Sequence, residues 1–100
     1  MYRLGEGVPQ DYQEARKWYT KAAEQGEAYA QYALGRLYAE GDGVPKDLVQ
    51  SHKWFNIAAA QGDSGAEEHR DALTLQMTPE LIAEAQRLSS EFWEKLRKAK

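Results

Sequence analysis

With 100 residues, 13 Lys plus Arg against 16 Asp plus Glu, and no cysteine, the chain has room for one small core and not for a second independent one. The charge balance gives no electrostatic footprint for a phosphate backbone, which argues against a nucleic-acid partner, and a chain without thiols holds neither a disulfide framework nor a thiolate metal site. No apolar run resembles a signal peptide or approaches the length of a membrane span, so the chain as given reads as soluble.

Taken from the start, Gly5-Glu6-Gly7-Val8-Pro9-Gln10-Asp11 returns 36 positions later as Gly41-Asp42-Gly43-Val44-Pro45-Lys46-Asp47. Laying residues 1–27 over 37–63 gives 12 identities in 27, among them Tyr2/Tyr38, Lys17/Lys53, Trp18/Trp54, Ala22/Ala58 and Gly26/Gly62. A period of this length marks a solenoid, in which each repeat buries its apolar face only by stacking on its neighbours. Met1 aligns with Leu37, so the first repeat is expected to arrive without most of its first helix, and apolar surface of the helix that follows is expected to lack its usual cover.

Asp11 with Glu14, and Asp47 with Gln50, form capping-box patterns that predict two helix starts. The first of these helices runs to about Gln25 with Ala15, Trp18, Tyr19, Ala22 and Ala23 on one face, and Gly26 ends it as a left-handed cap. The second repeats the pattern with Ser51, Trp54, Phe55, Ala58 and Ala59 before Gly62. Between them, Glu27 to about Glu40 carries Ala30, Ala33, Leu34, Leu37 and Tyr38 at spacings of three and four, an amphipathic helix ended by Gly41. Gly35 inside it costs about 1 kcal/mol against alanine, which predicts close approach of a neighbouring helix backbone. A third copy begins at Asp63 or Ser64 and decays, with Arg70-Asp71 in place of Leu34-Gly35, as a terminal repeat with a wet outer face would. Thr78-Pro79 then starts a closing helix to about Lys98, whose stripe is Leu81, Ala85, Leu88, Phe92 and Leu96 with Ile82 and Trp93 flanking, and which is expected to cover the open end of the stack.

The run Ala30-Gln31-Tyr32-Ala33-Leu34-Gly35-Arg36-Leu37-Tyr38-Ala39-Glu40-Gly41-Asp42-Gly43-Val44-Pro45-Lys46-Asp47, followed by Lys53-Trp54-Phe55, Ala58-Ala59 and Gln61-Gly62, resembles the Sel1-like repeat family, a relative of the tetratricopeptide repeats. The resemblance implies an all-α fold: a right-handed α-solenoid of antiparallel helix pairs, about two to two and a half repeats plus a C-terminal closing helix. The array would span residues 1–77, divided into a partial repeat 1–26, a full repeat 27–62 and a degenerate repeat 63–77, with the capping helix at 78–100. It also implies a non-enzymatic adaptor for a protein or peptide partner.

In the related repeats the first helix of each pair lines the concave groove. With Leu34, Gly35 and Tyr38 registered as core, Tyr29, Tyr32 and Arg36 fall together on the exposed inner face, with Glu40 at its lower end. The flanking copies contribute Arg3 and Leu4 on one side and Glu68, Ala72 and Gln76 on the other. Tyrosines beside an arginine suit a bound peptide or helix; the plainer alternative is that both tyrosines pack on the next helix pair with wet hydroxyls. Trp18, Tyr19, Trp54 and Phe55 recur at the repeat period and are expected in the core. The Gly-x-Gly loops lack the further glycine, the Lys-Ser pair and the strand of a phosphate cradle. His52 and His69 have no second histidine at ligand spacing, and adjacent Ser51 and His52 diverge on a helix, so no catalytic, cofactor or metal residue is assigned. Two competing functions stay open: a basic amphipathic helix around Lys95–Lys100 for a membrane or partner, and a homodimer joined through residues 1–25.

Overall fold

The computed structural model of the chain describes residues 12–41 and 47–99. Five helices follow in order: α1 (Tyr12–Glu24), α2 (Ala28–Glu40), α3 (Leu48–Ala60), α4 (Ser64–Thr74) and α5 (Pro79–Ala99). No strand occurs among the described residues. Helices α1 to α4 pack each on the next, α2 against α3 most extensively, which is the layering of an α-solenoid.

Local chemistry sets the helix ends. Gly26 and Gly62 hold φ of 102° and 99°, and each closes the same hydrogen-bonded stop: Glu27 N–H to Ala22 O and Gly26 N–H to Ala23 O, then Asp63 N–H to Ala58 O and Gly62 N–H to Ala59 O. Gly41, at φ 76°, caps α2 by donating to Leu37 O. At the starts, the Asp47 and Asp63 carboxylates accept from Gln50 and Ala66 N–H at 3.1 and 3.0 Å, and the Thr78 hydroxyl accepts from Leu81 N–H. The expected cap Asp11 and the loop 42–46 lie outside the described residues. The ends of that loop are tied, since Asp47 N–H donates to Tyr38 O at 3.0 Å.

Helix α3 is the hub of the core. Its Trp54 and Ile57 join Ala23, Ala30, Leu34, Leu37 and Phe92 on one side, while Phe55 and Ala58 join Ala66, Leu73, Met77 and Ala85 on the other. Three sequence expectations need correction here. Trp54 and Phe55 are buried, but Trp18 is 59% exposed: Trp54 lies in a cluster with Leu37 of α2 and Phe92 of α5, and no described element covers Trp18 in the same way. Gly35 is indeed a point of close approach, but to a side chain: a Cβ there would lie 2.8 Å from the Phe55 ring. Helix α5 packs chiefly along α3. Its inward stripe accordingly runs through Ile82, Ala85, Ser89, Phe92 and Leu96, while Leu81 is exposed and buried Ser89 donates to Ala85 O within its own helix.

Buried polar groups lock neighbouring helices together. Gln31 is fully buried; its Nε2 donates to Ala23 O at 3.1 Å and its Oε1 accepts from Gln61 Nε2 at 2.7 Å. Ser51 Oγ donates to Gly35 O at 2.7 Å. In α4, Arg70 stands where α2 has Leu34, and its Nη1 donates to Asn56 Oδ1 of α3. His52 is buried beside Thr74 with its Nδ1 unpartnered; burial, reinforced by nearby Arg70 and opposed by Asp71, holds its pKa below the ordinary histidine value.

Candidate functional site

The surface expected to bind a partner divides into two neighbouring parts. On the first, Tyr32 of α2 packs against Phe55 of α3, with ring centroids 5.8 Å apart, and edge-on against His69 of α4 at 5.3 Å. His69 touches Phe55 as well, also at 5.3 Å. The His69 ring is oriented by its own helix: Nδ1 lies 2.8 Å from Gly65 O, and because a carbonyl can only accept, Nδ1 carries the proton. One turn along α2, Arg36 Nη2 donates to Glu40 Oε2 at 3.0 Å in an exposed ion pair. That hydrogen bond, with a smaller contribution from Tyr32, raises the guanidinium pKa above its ordinary value. Tyr32, Arg36 and Glu40 therefore form one strip along α2, half-buried at Tyr32 and wet at the other two.

Glu68 is exposed on α4, but the residue of α4 that meets Tyr32 is its neighbour His69. Ala72 and Gln76 are exposed too, and Arg3 and Leu4 lie outside the described residues. Sequence reasoning missed His69 because it weighed the histidine as a metal ligand. Its position one helical pair beyond Tyr32, on the equivalent of Ala33, was the signal that would have placed it beside the aromatic strip.

Tyr29 belongs to the second part. Its ring meets Tyr19 of α1 edge-on at 6.3 Å, and it is 51% exposed. Burial, together with Tyr29, raises the Tyr19 pKa. Ala15, Trp18, Tyr19 and Ala22 of α1, with Tyr29 and Ala30 of α2, line a largely apolar cavity of about 620 Å³. A second cavity of about 510 Å³ lies between α3 and α5, where Lys53 Nζ sits 4.3 Å from the Trp54 ring centre, near Glu91 and Lys95. Burial lowers the Lys53 pKa, aided by Lys95 and opposed by Glu24 and Glu91.

The basic end of α5 does not offer a free amphipathic face. Phe92 is buried and Trp93 and Leu96 pack on the core cluster around Trp54, so the apolar residues that a membrane or partner would need already serve the fold. No helix among the described residues is long and apolar enough to cross a membrane, and no cluster of three or more metal-ligating side chains occurs among them.

Comparison with known proteins agrees with this architecture. No curated protein sequence gives a significant match. Among solved structures, a protective antigen present in uropathogenic Escherichia coli strains, described as displaying an SLR fold, is similar at 35% sequence identity and a TM-score of 0.81. That similarity covers 96% of this chain and 22% of the antigen, so the chain spans less than a quarter of that protein's length. Residues 1–27 and 28–63 each match the Sel1 repeat. With the 36-residue period, the paired helices and the glycine stops all accounted for by that match, the chain belongs to the Sel1 repeat family.

Proposed function

We propose that the protein is a protein-interaction adaptor whose strip Tyr32, Arg36 and Glu40, flanked by Tyr29, His69 and Glu68, holds a peptide or helix of a partner, with residues 1–77 as the repeat array and 78–100 as its closing helix. Repeats of this family are in general protein–protein interaction modules and their fold is typically a non-enzymatic scaffold. The observation that carries the reading is the contact of Tyr32 with Phe55 and His69 beside a half-exposed Arg36. Three consecutive helices thereby hold an aromatic ring rigid next to a guanidinium, the two residue types that dominate binding hot spots. Preorganisation of that kind spares a partner the entropy of ordering them.

The test is capture of a partner from the source cell, followed by its identification and a direct affinity measurement with the purified partner. Arg36→Ala removes only an exposed ion pair, so the fold should be unaffected, and affinity for the partner should fall at least tenfold. Affinity unchanged from that of the unsubstituted protein in Arg36→Ala and in Arg36→Ala/Tyr32→Ala, with both variants folded by circular dichroism, would sink the strip as the binding site. Homodimerisation through residues 1–25 is the competing reading, favoured by the exposure of Trp18. A mass that stays monomeric from micromolar to millimolar concentration argues against it.

A further inference from the structure

Where α5 crosses α3 it builds a feature that the repeat sequence alone does not. Lys17 and Lys53 share one register, yet Lys17 is exposed on α1 while Lys53 is half-buried beside α5. Ser89 Oγ lies 3.4 Å from Lys53 O, so the two helices meet at the base of that lysine. Its ammonium reaches over the Trp54 ring, and both residues line the cavity of about 510 Å³ between the helices. Trp54 and Phe92, edge to face at 5.5 Å, are buried in its wall, and Leu88 and Leu96 add half-buried apolar surface. Four charged side chains complete the lining: Lys53, Lys95, Glu24 and Glu91. Glu91 is already paired with Arg87. Neither lysine ammonium makes an ion pair or a hydrogen bond among the described residues. Two cations therefore face one uncompensated carboxylate, that of Glu24, and the cavity carries an excess of positive charge.

We propose that this cavity binds a small monocarboxylate with an apolar body, its carboxylate between Lys53 and Lys95 and its hydrocarbon against Trp54, Phe92, Leu88 and Leu96. A half-buried ammonium that meets only the face of an indole lacks the acceptors an ammonium requires. A ligand carboxylate supplies them as charge-assisted hydrogen bonds and cancels the excess charge. Burial disfavours the charged form of Lys53, opposed by Glu24 and Glu91 and reinforced by Lys95, so an anion between the two lysines also relieves their mutual repulsion. The apolar body follows from the rest of the wall, where two aromatic rings and two leucines gain by shedding water. Other charge types fit less well: a cation meets two ammonium groups, and a second carboxylate on the ligand meets Glu24. None of the residues of the Tyr32–Arg36 strip lines this cavity, so the proposal stands or falls independently of the adaptor reading.

Titration of the isotope-labelled full chain with octanoate below its micellar range, followed by nuclear magnetic resonance, reads the site directly. The Trp54 indole N–H and the amides around Lys53, Phe92 and Lys95 should shift and saturate. Octanol and octylamine, which keep the chain and change the head group, should bind at least tenfold more weakly. Lys53→Gln and Lys95→Gln should each weaken octanoate at least tenfold, and Arg36→Ala should leave it unchanged. Lys95 is exposed, so Lys95→Gln keeps the test valid even where Lys53→Gln disturbs the packing on Trp54. A free acid and the last residue of a peptide share this chemistry. Acetyl-leucyl-leucine with a free carboxylate tells them apart, the ligand that saturates at the lower concentration being the kind the cavity serves. Shifts that fail to saturate with either acid through the millimolar range overturn the proposal. Octanol that binds as well as octanoate means an unselective apolar cavity and does the same, as does octanoate affinity that is unchanged in both lysine variants. Shifts confined to α2 around Tyr32 place the acid on the strip and also overturn it. The strip reading fails or survives separately, on the Arg36→Ala measurement with the cellular partner.

Discussion

At the scale of single residues, the fold depends on one exchange between Gly35 and Phe55. Glycine in the middle of α2 sacrifices about 1 kcal/mol of helix propensity relative to alanine. In return the Phe55 ring lies against the bare α2 backbone, and Ser51 reaches Gly35 O. Gly35→Ala should therefore destabilise despite its better propensity: a Cβ 2.8 Å from a fully buried ring is overpacking, which costs about 1–3 kcal/mol. Urea denaturation should give a lower midpoint, with partial recovery in Gly35→Ala/Phe55→Leu, because neighbours that share a clash are not additive. A midpoint raised by Gly35→Ala alone would show that the ring can give way. The anomaly was legible in the sequence as a glycine within a helical pattern. Its partner was not, since periodicity places Phe55 on an inward face without saying which atoms it meets.

At the scale of elements, what the repeat period governs was readable and what it does not govern was misread. Helices α1 to α4 and the matching stops at Gly26 and Gly62 follow from local chemistry repeated every 36 residues, while the Asp63 cap is local to α4, because Glu27 at the same register makes no side-chain cap bond. Helix α5 stands outside the period, and an apolar stripe alone left two nearly equivalent rotations, one through Leu81 and Leu88 and one through Ile82 and Ser89. Packing along α3 selects the second, because the small Ala85 and Ser89 let the two helices approach and Ser89 hides its hydroxyl on Ala85 O. The strip proposed for binding, Tyr32, Arg36 and Glu40, follows from the same register, whereas His69 was missed because it was weighed only as a metal ligand. If α5 belongs to the core, Phe92→Ala should cost about 3–5 kcal/mol, the range for truncating a buried aromatic. Leu81→Ala, at an exposed site, should cost under about 0.5 kcal/mol. Thermal melts in which the two variants behave alike would mean that α5 is only loosely attached.

At the scale of the whole molecule, α3 makes the array one unit instead of a string of separable repeats. Its two sides feed both core clusters, and α5 returns across it so that the radius of gyration, 13.2 Å, is that of a compact 100-residue domain at about 13 Å. Unfolding should thus be a single transition, with the fluorescence of Trp54 and Trp93 and the far-ultraviolet dichroism losing their native values together. Trp18 is the exception that makes this measurable. Already 59% exposed on α1, it should emit as a wet indole before unfolding begins and dilute the signal of the other two. Trp18→Phe should shift the native emission to shorter wavelength and enlarge the change on unfolding. It should move the urea midpoint by no more than about 0.5 kcal/mol equivalent, as for an exposed substitution. A native spectrum that shifts to longer wavelength, or a stability loss of about 2 kcal/mol or more, would mean that Trp18 is covered in solution. The emission difference between the unsubstituted protein and Trp18→Phe, measured across protein concentration, then separates the occupants: cover that vanishes on dilution comes from a second molecule, and cover that persists comes from the chain itself.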